Sequence, residues 1–124
     1  MIKVSVVIPT YNSSRTIHRA ILSVLRQTGI NKLFEVEILI CDDCSTDSTL
    51  LDCMGWDANL RIFQRETNSG GPNWGRNKGI KESTGGLIAF LDHDDQWLPD
   101  KLKNQIKEIN NGYEFVYSGS IKGV

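Results

Sequence analysis

The chain alternates between short runs of consecutive apolar residues and longer stretches in which apolar residues recur at helical spacing. A short apolar run bounded by turn-forming residues is typical of a buried strand. The sequence therefore predicts five strands, at residues 3–8, 36–41, 60–64, 86–91 and 113–117. The run at 86–91, Gly-Leu-Ile-Ala-Phe-Leu, is the kind expected of a fully buried strand.

Helical spacing marks the segments between these strands. An amphipathic helix is predicted at 15–27, with Ser13 or Ser14 capping it by accepting a backbone N–H. A short helix follows the capping-rich segment 45–49, a polar helix with a thin apolar face spans 74–83, and a fourth helix has Pro99 in its first turn. Strands that alternate with helices predict a mostly parallel, Rossmann-like α/β sheet with helices on both faces.

Three of the predicted strands end in polar or acidic residues, at 9–12, 42–43 and 92–95. The carboxyl ends of parallel strands lie at one edge of a sheet, and ligands of such folds bind there. Asp92 and Asp94 are two positions apart, so in extended chain both carboxylates project to the same side and can bind one hard cation. The alternative interpretation is a solvated acidic turn.

The segment 68–73 consists of turn-forming residues and precedes the polar helix. Gly70 and Gly71 would let the backbone approach a ligand closely, and the helix N-terminus and Arg76 would face its negative groups. A polar helix beside a glycine loop can equally be a surface connection, so both interpretations stay open here.

Composition narrows the class of protein. The 124 residues predict one domain, at 1–124, and 14 basic against 15 acidic residues give a net charge of −1, which offers no general attraction for nucleic acid or an anionic membrane. No apolar run is long enough to cross a bilayer, and the N-terminus lacks a signal-peptide pattern. We therefore expect a cytoplasmic protein without a membrane span.

The three cysteines fit a reducing compartment better than a disulfide framework. Cys41 and Cys44 form a Cys-x-x-Cys pattern after a strand, but the two intervening acids would raise the pKa of a thiol that a redox site needs lowered. Cys41 is more simply the last inward residue of its strand.

Four motifs in order, at 4–12, 38–47, 68–79 and 90–95, resemble the family 2 glycosyltransferases of the GT-A fold. The resemblance implies the amino-terminal, donor-binding half of an inverting, metal-dependent transferase that acts in cell-surface polysaccharide synthesis. Its donor would be a nucleotide-diphosphate sugar, with uracil as the base in many relatives, and its acceptor a saccharide or a lipid-linked sugar.

The resemblance also implies roles for individual residues. Asp42 or Asp43 would accept hydrogen bonds from the base, and Asp92 would hold the ribose. Asp92 and Asp94 would hold Mn²⁺ or Mg²⁺ on the diphosphate. Together with the glycine loop, the predicted nucleotide-binding residues are Pro9, Thr10, Tyr11, Asp42, Asp43, Gly71, Arg76 and Asp92.

Two departures from the family pattern carry expectations of their own. Cys44 stands where the family commonly has glycine, so a positive φ there would strain the chain beside Asp43. The carboxylate that deprotonates the acceptor comes from a later segment in the family, so we expect the chain alone to transfer little or no sugar. His93 is expected to be a spacer that faces away from the metal.

Two other functions remain as alternatives. The first is a module that binds a nucleotide without catalysis. The second is a phosphotransferase with an aspartyl nucleophile, whose apolar strand and Asp-x-Asp are superficially similar to residues 91–94. Those enzymes carry that motif on their first strand, whereas here it follows the fourth predicted strand.

Overall fold

The computed structural model of the protein describes residues 1–110 and the backbone of the strand at 121–122. The strands are β1 (Ile2–Thr10), β2 (Phe34–Asp42), β3 (Leu60–Gln64), β4 (Leu87–Phe90), β5 (Asp95–Gln96) and β6 (Ile121–Lys122). The helices are α1 (Ile17–Leu25), α2 (Thr49–Asp52), α3 (Asn73–Glu82) and α4 (Lys101–Asn110).

The first four strands form one parallel sheet in the order β3-β2-β1-β4. β1 and β2 pair along their whole length, from Ile2 opposite Phe34 to Thr10 opposite Asp42. The chain moves outward from β1 to β3 and then returns to the other side of β1 to form β4. The strand order therefore reverses between β1 and β4, which is where α/β sheets bind their ligands.

The two faces of the sheet are covered by different helices. Even-numbered residues of β1 and β2 pack against α1, and Trp97 and Leu102 complete this larger core. Odd-numbered residues form a smaller cluster on the other face, where Val7, Leu39 and Cys41 pack with Phe63 and Trp74. The predicted α/β class with helices on both faces is confirmed.

Helix α3 lies directly on the sheet because two glycines face it. A Cβ at Gly79 would lie 2.2 Å from Cγ1 of Val7, and a Cβ at Gly75 would lie 2.9 Å from Cβ of Pro9. Both glycines are buried. The thin apolar face predicted for this helix is therefore a contact made by backbone rather than by large side chains.

The first four predicted strands and all four predicted helices are present, with ends that differ by a few residues. The predicted strand at 113–117 lies outside the described residues, and the antiparallel pair β5–β6 was not predicted. Pro99 precedes α4 by two residues instead of lying in its first turn. No helix in the described part of the chain is long and apolar enough to span a membrane.

Two further local predictions were wrong. β4 is not buried on both faces, since Ile88 and Phe90 are 40% and 44% exposed. The reason is its place at the edge of the four-stranded sheet, where α3 covers the neighbouring β1 and leaves these side chains open. Neither Ser13 nor Ser14 caps α1 with its side chain, because the N-cap residue is Thr16.

Candidate functional site

A cavity of about 440 Å³ opens at the carboxyl ends of β1 and β2 and beside the residues that follow β4. The predicted site residues that line it are Pro9, Thr10, Tyr11, Asp43, Gly71, Arg76, Asp92 and Asp94. Residues from four separate segments of the chain thus form one site, at the point where the strand order reverses.

Asp42 is the predicted nucleotide-binding residue that does not line the cavity, and it has no exposed surface. Its carboxylate accepts hydrogen bonds from the hydroxyls of Thr10 and Ser45, each at 2.6 Å, and from the Ser45 backbone N–H at 2.9 Å. A side chain enclosed in this way cannot reach a base. The prediction that Asp42 contacts the nucleotide is corrected, because Asp42 instead joins the end of β1 to the loop after β2.

Asp43 is the acid that reaches the cavity. Its carboxylate accepts hydrogen bonds from the backbone N–H of Ser69 at 2.9 Å and from the Ser69 hydroxyl at 2.6 Å. The side-chain amide of Asn68 donates to the Asp43 carbonyl at 3.1 Å. The glycine loop is therefore attached to the loop after β2, and both face the same cavity.

Cys44 has a left-handed backbone, with φ of 64°. This is the conformation that glycine adopts most easily, so a non-glycine residue here carries some strain. The Cys44 thiol donates to the carbonyl of Glu66 at 3.2 Å. Asp43, the residue before Cys44, makes its hydrogen bonds to Ser69 beside this left-handed position.

The glycine loop leaves open space toward the cavity. Gly70 has φ of 89°, and no atom lies within 4 Å of the Cβ positions of Gly70 and Gly71. Helix α3 begins just after this loop, and the Arg76 guanidinium lies 3.4 Å from the Asp92 carboxylate. Both of these side chains are more than two-fifths exposed, so Arg76 can also reach a charged group in the cavity.

The carboxylates of Asp92, Asp94 and Asp95 each offer an oxygen within 4.8 Å of the others. Asp95 belongs to the short strand β5 and is buried, and its backbone N–H donates to the Asp92 carbonyl at 3.0 Å in the turn between them. A set of carboxylate oxygens is the donor type that Mg²⁺ and Mn²⁺ prefer. The residues present therefore fit a hard divalent cation.

His93 makes a contact that the sequence did not predict, while its role as a spacer that faces away from the metal stays a prediction. It lines the cavity, and its Nδ1 lies 2.9 Å from the hydroxyl oxygen of Thr16 at the start of α1. These residues are 77 positions apart in the chain. No periodicity or motif connects them, so only the folded structure shows the contact.

Four further residues line the cavity without having been predicted as site residues, namely Cys41, Asn68, Pro72 and Gly75. Asn68 belonged to the recognised glycine loop, which is the signal that could have identified it. Burial raises the pKa of the Cys41 thiol to about 11, with smaller effects of Lys78, which lowers it, and Glu82, which raises it. The thiol is therefore protonated at neutral pH, as expected for an inward strand residue.

Comparisons with known proteins give a consistent result. The sequence model of glycosyl transferase family 2 matches residues 5–123. The poly(ribitol-phosphate) β-N-acetylglucosaminyltransferase TarS of Staphylococcus aureus is 38% identical over 126 residues, covering 100% of this chain and 22% of TarS. The Escherichia coli glucosyltransferase WfgD, named for UDP-Glc and α-D-GlcNAc-diphosphoundecaprenol, is 36% identical over 129 residues, covering 97% of this chain and 49% of WfgD.

Solved structures agree with the fold. The crystal structure of TarS residues 1–349 with UDP superposes with a TM-score of 0.81 over 88% of this chain and 32% of the TarS chain, at 38% identity. The mannosyltransferase PcManGT of Pyrobaculum calidifontis, solved with GDP-Man and Mn²⁺, gives a TM-score of 0.73 at 28% identity over 84% of this chain and 31% of its own. This chain thus spans about a fifth of the length of TarS and about half of the length of WfgD. On the match to residues 5–123, the chain belongs to glycosyltransferase family 2.

Proposed function

We propose that this chain binds a UDP-sugar together with Mn²⁺ or Mg²⁺ and serves as the donor site of an inverting glycosyltransferase in cell-surface polysaccharide synthesis. The acceptor would be a saccharide or a lipid-linked sugar. The observation that carries the proposal is the cavity at the strand-order reversal, which is lined by Asp43 after β2 and by Asp92 and Asp94 after β4.

The distribution of charge in the cavity supports a diphosphate ligand. Asp92 and Asp94 would hold the cation, and a bound cation would neutralise the negative charge that develops on the departing diphosphate. Arg76 lies beside Asp92 and is exposed enough to contact a phosphate oxygen. The open backbone at Gly70 and Gly71 leaves space for that group.

The part of the cavity lined by Asp43 and Tyr11 supports a nucleoside as ligand. The Asp43 carboxylate faces the cavity, where it can accept hydrogen bonds from a base, and Tyr11 is 46% exposed at the rim. TarS has been solved with UDP and with UDP-GlcNAc, and PcManGT with GDP-Man and Mn²⁺, which supports the same ligand class. We also propose a cytoplasmic location, because three free cysteines suit a reducing compartment.

Calorimetric titration of UDP, with and without MnCl₂, tests the donor site. We expect Mn²⁺ to strengthen UDP binding, and Asp94→Ala to weaken the metal-dependent binding by about tenfold or more while the melting temperature stays close to that of the wild type. Asp100→Ala is the matched control, because Asp100 is exposed and lies outside the acid cluster.

Two results would contradict the proposal. The first is UDP binding that does not depend on Mn²⁺ and is unchanged in Asp94→Ala. The second is an equal loss of binding and of folding in that variant, which would show that Asp94 has a structural role only.

A further inference from the structure

The acids of the proposed donor site lie in a short segment that is attached near both ends of α1, directly through His93 and, just beyond the segment, through Leu98 and Pro99. We call residues 92–96 the acid loop. Past its C-terminal end, the Gln27 side chain donates to the Leu98 carbonyl at 2.7 Å and accepts from the Leu102 backbone N–H at 3.0 Å. The Thr28 backbone N–H donates to the Pro99 carbonyl at 2.8 Å. The residues that follow α1 thereby fix the start of α4.

The start of α1 contacts the acid loop itself. The hydroxyl of Thr16 lies 2.9 Å from Nδ1 of His93, which stands between the predicted metal-binding residues Asp92 and Asp94. The other polar contact of this hydroxyl is a longer one, 3.4 Å to the Ser13 carbonyl. Although Thr16 is the N-cap residue of α1, its side chain makes no capping hydrogen bond. The hydroxyl is therefore directed to the acid loop rather than to the helix.

This contact restrains a segment of like charges. Three carboxylates whose oxygens lie within 4.8 Å of one another repel each other, although the Arg76 guanidinium 3.4 Å from Asp92 offsets part of this repulsion. The hydrogen bond from Asp95 N–H to the Asp92 carbonyl closes the turn from within, and His93–Thr16 is a second attachment, to a different element. A loop restrained in this way loses less conformational entropy when it binds a cation.

We propose that Thr16 and His93 are positioning residues of the donor site: their hydrogen bond holds the acid loop in the arrangement that binds the cation and the diphosphate. This inference rests on the proposed donor function. Neither residue needs to contact the reacting atoms, because both act through the placement of Asp92 and Asp94.

Thr16→Val and His93→Leu remove the contact with little change in side-chain volume. In the ligand-free protein we expect the Asp95 amide to exchange its hydrogen about fivefold faster in either variant, the effect expected from the loss of one hydrogen bond. In the presence of saturating UDP, we expect Mn²⁺ to bind about tenfold more weakly, as is typical when a residue that orients metal ligands is lost. The double variant should be no worse than either single one, because both substitutions remove the same contact.

Three further variants separate positioning from general stability. Thr16→Ser keeps the hydroxyl, and His93→Asn keeps a polar atom bonded to Cγ, so both should restore Mn²⁺ affinity. Gln27→Ala removes the attachment at the other end of α1, and we expect it to lower the melting temperature by more than Thr16→Val does. A Thr16→Val protein that loses as much melting temperature as Gln27→Ala and keeps its Mn²⁺ affinity would overturn the proposal.

Amide exchange distinguishes failure of this inference from failure of the donor site. Unchanged Asp95 exchange in Thr16→Val would refute the positioning role, whether or not the protein binds UDP. Faster exchange together with a wild-type protein that binds neither UDP nor Mn²⁺ would overturn the proposed function. In that case the hydrogen bond between Thr16 and His93 would still restrain the acid loop.

Discussion

Glu37 is a nearly inaccessible carboxylate at the end of the sheet away from the cavity. It accepts hydrogen bonds from the Ser5 hydroxyl, from the backbone N–H and hydroxyl of Thr84, and from the Arg61 guanidinium. Burial alone would raise the pKa of Glu37, but these hydrogen bonds outweigh it and lower the pKa from 4.5 to about 2. A single ionised side chain therefore links β1, β2, β3 and the segment that leads into β4.

Replacing this carboxylate should change the pH dependence of stability. The pKa of Glu37 is depressed in the folded protein. The contribution of its carboxylate to the free energy of unfolding is therefore complete above pH 4.5 and is lost as the pH falls toward 2. Glu37→Gln should therefore be less stable than wild type at pH 7, by about 3 kcal/mol, and the difference should shrink on acidification. Urea unfolding of both proteins at pH 7, 4 and 3 measures this difference in the free energy of unfolding.

The matched control for this substitution is Glu35→Gln, which removes an exposed carboxylate from the same strand. Its free energy of unfolding should stay within about 0.5 kcal/mol of wild type at pH 7. A difference between wild type and Glu37→Gln that stays constant from pH 7 to 3 would contradict the assigned role.

The cysteines should differ sharply in reactivity. Burial raises the pKa of Cys41 to about 11 and that of Cys53 to about 12, where nearby Asp42 and Asp52 raise it further. Cys44 is partly exposed. At neutral pH we expect a thiol reagent to label Cys44 alone in the native protein and all three cysteines after denaturation, as read by mass spectrometry.

Cys44→Gly provides the control for the labelling experiment, since glycine suits the left-handed backbone at this position. This variant should show no labelling in the native state. Rapid modification of Cys53 in the folded protein would contradict the burial that the structure shows.

At the scale of elements, α3 shows that a helix can pack closely on a sheet without an apolar stripe in its sequence. The helix brings Arg76 to the cavity, yet it packs through Gly75 and Gly79 instead of an apolar stripe. Alanine favours an isolated helix over glycine by about 1 kcal/mol. On this sheet the close contact with Val7 reverses that preference.

Gly79→Ala should destabilise the protein by about 1–3 kcal/mol, because the added methyl group overlaps Val7 and forces α3 outward. Asn77→Ala, at an exposed position of the same helix, is the control and should be neutral or slightly stabilising. Thermal unfolding measures both.

A second substitution can confirm the cause. Val7→Ala removes the overlapping methyl groups, so Gly79→Ala should cost less in the Val7→Ala background than in wild type. Equal costs in the two backgrounds would show that the Val7 contact is not responsible.

Strands and helices were predictable where apolar residues decide the structure. The β1, β2 and β3 runs, together with the α1 stripe, follow from spacing alone. The exposure of the β4 side chains was not predictable, because a run of apolar residues does not show whether a strand lies at the edge of its sheet. The short pair β5–β6 carries too few residues to form a pattern.

At the scale of the whole molecule, the convergence of three loops at one edge of the sheet was predictable from strand ends and the rule for parallel sheets. It was not predictable that Asp42 is enclosed and that Asp43 lines the cavity. Adjacent residues at a strand end point in opposite directions, and only the positions of Ser45 and Ser69 decide which acid faces the cavity. The Thr16–His93 contact depends on loop conformation in the same way.

The strand order has a consequence for how the protein folds. β1 pairs with β2 across a short stretch of chain, whereas its pairing with β4 joins Val4 to Leu87. The acid loop therefore reaches the other walls of the cavity only after this long-range contact forms. A ligand that needs all the walls cannot bind earlier in the process. We therefore expect UDP with Mn²⁺ to slow unfolding in stopped-flow experiments and to leave the folding rate unchanged, whereas faster folding would mean that the site assembles before β4 joins the sheet.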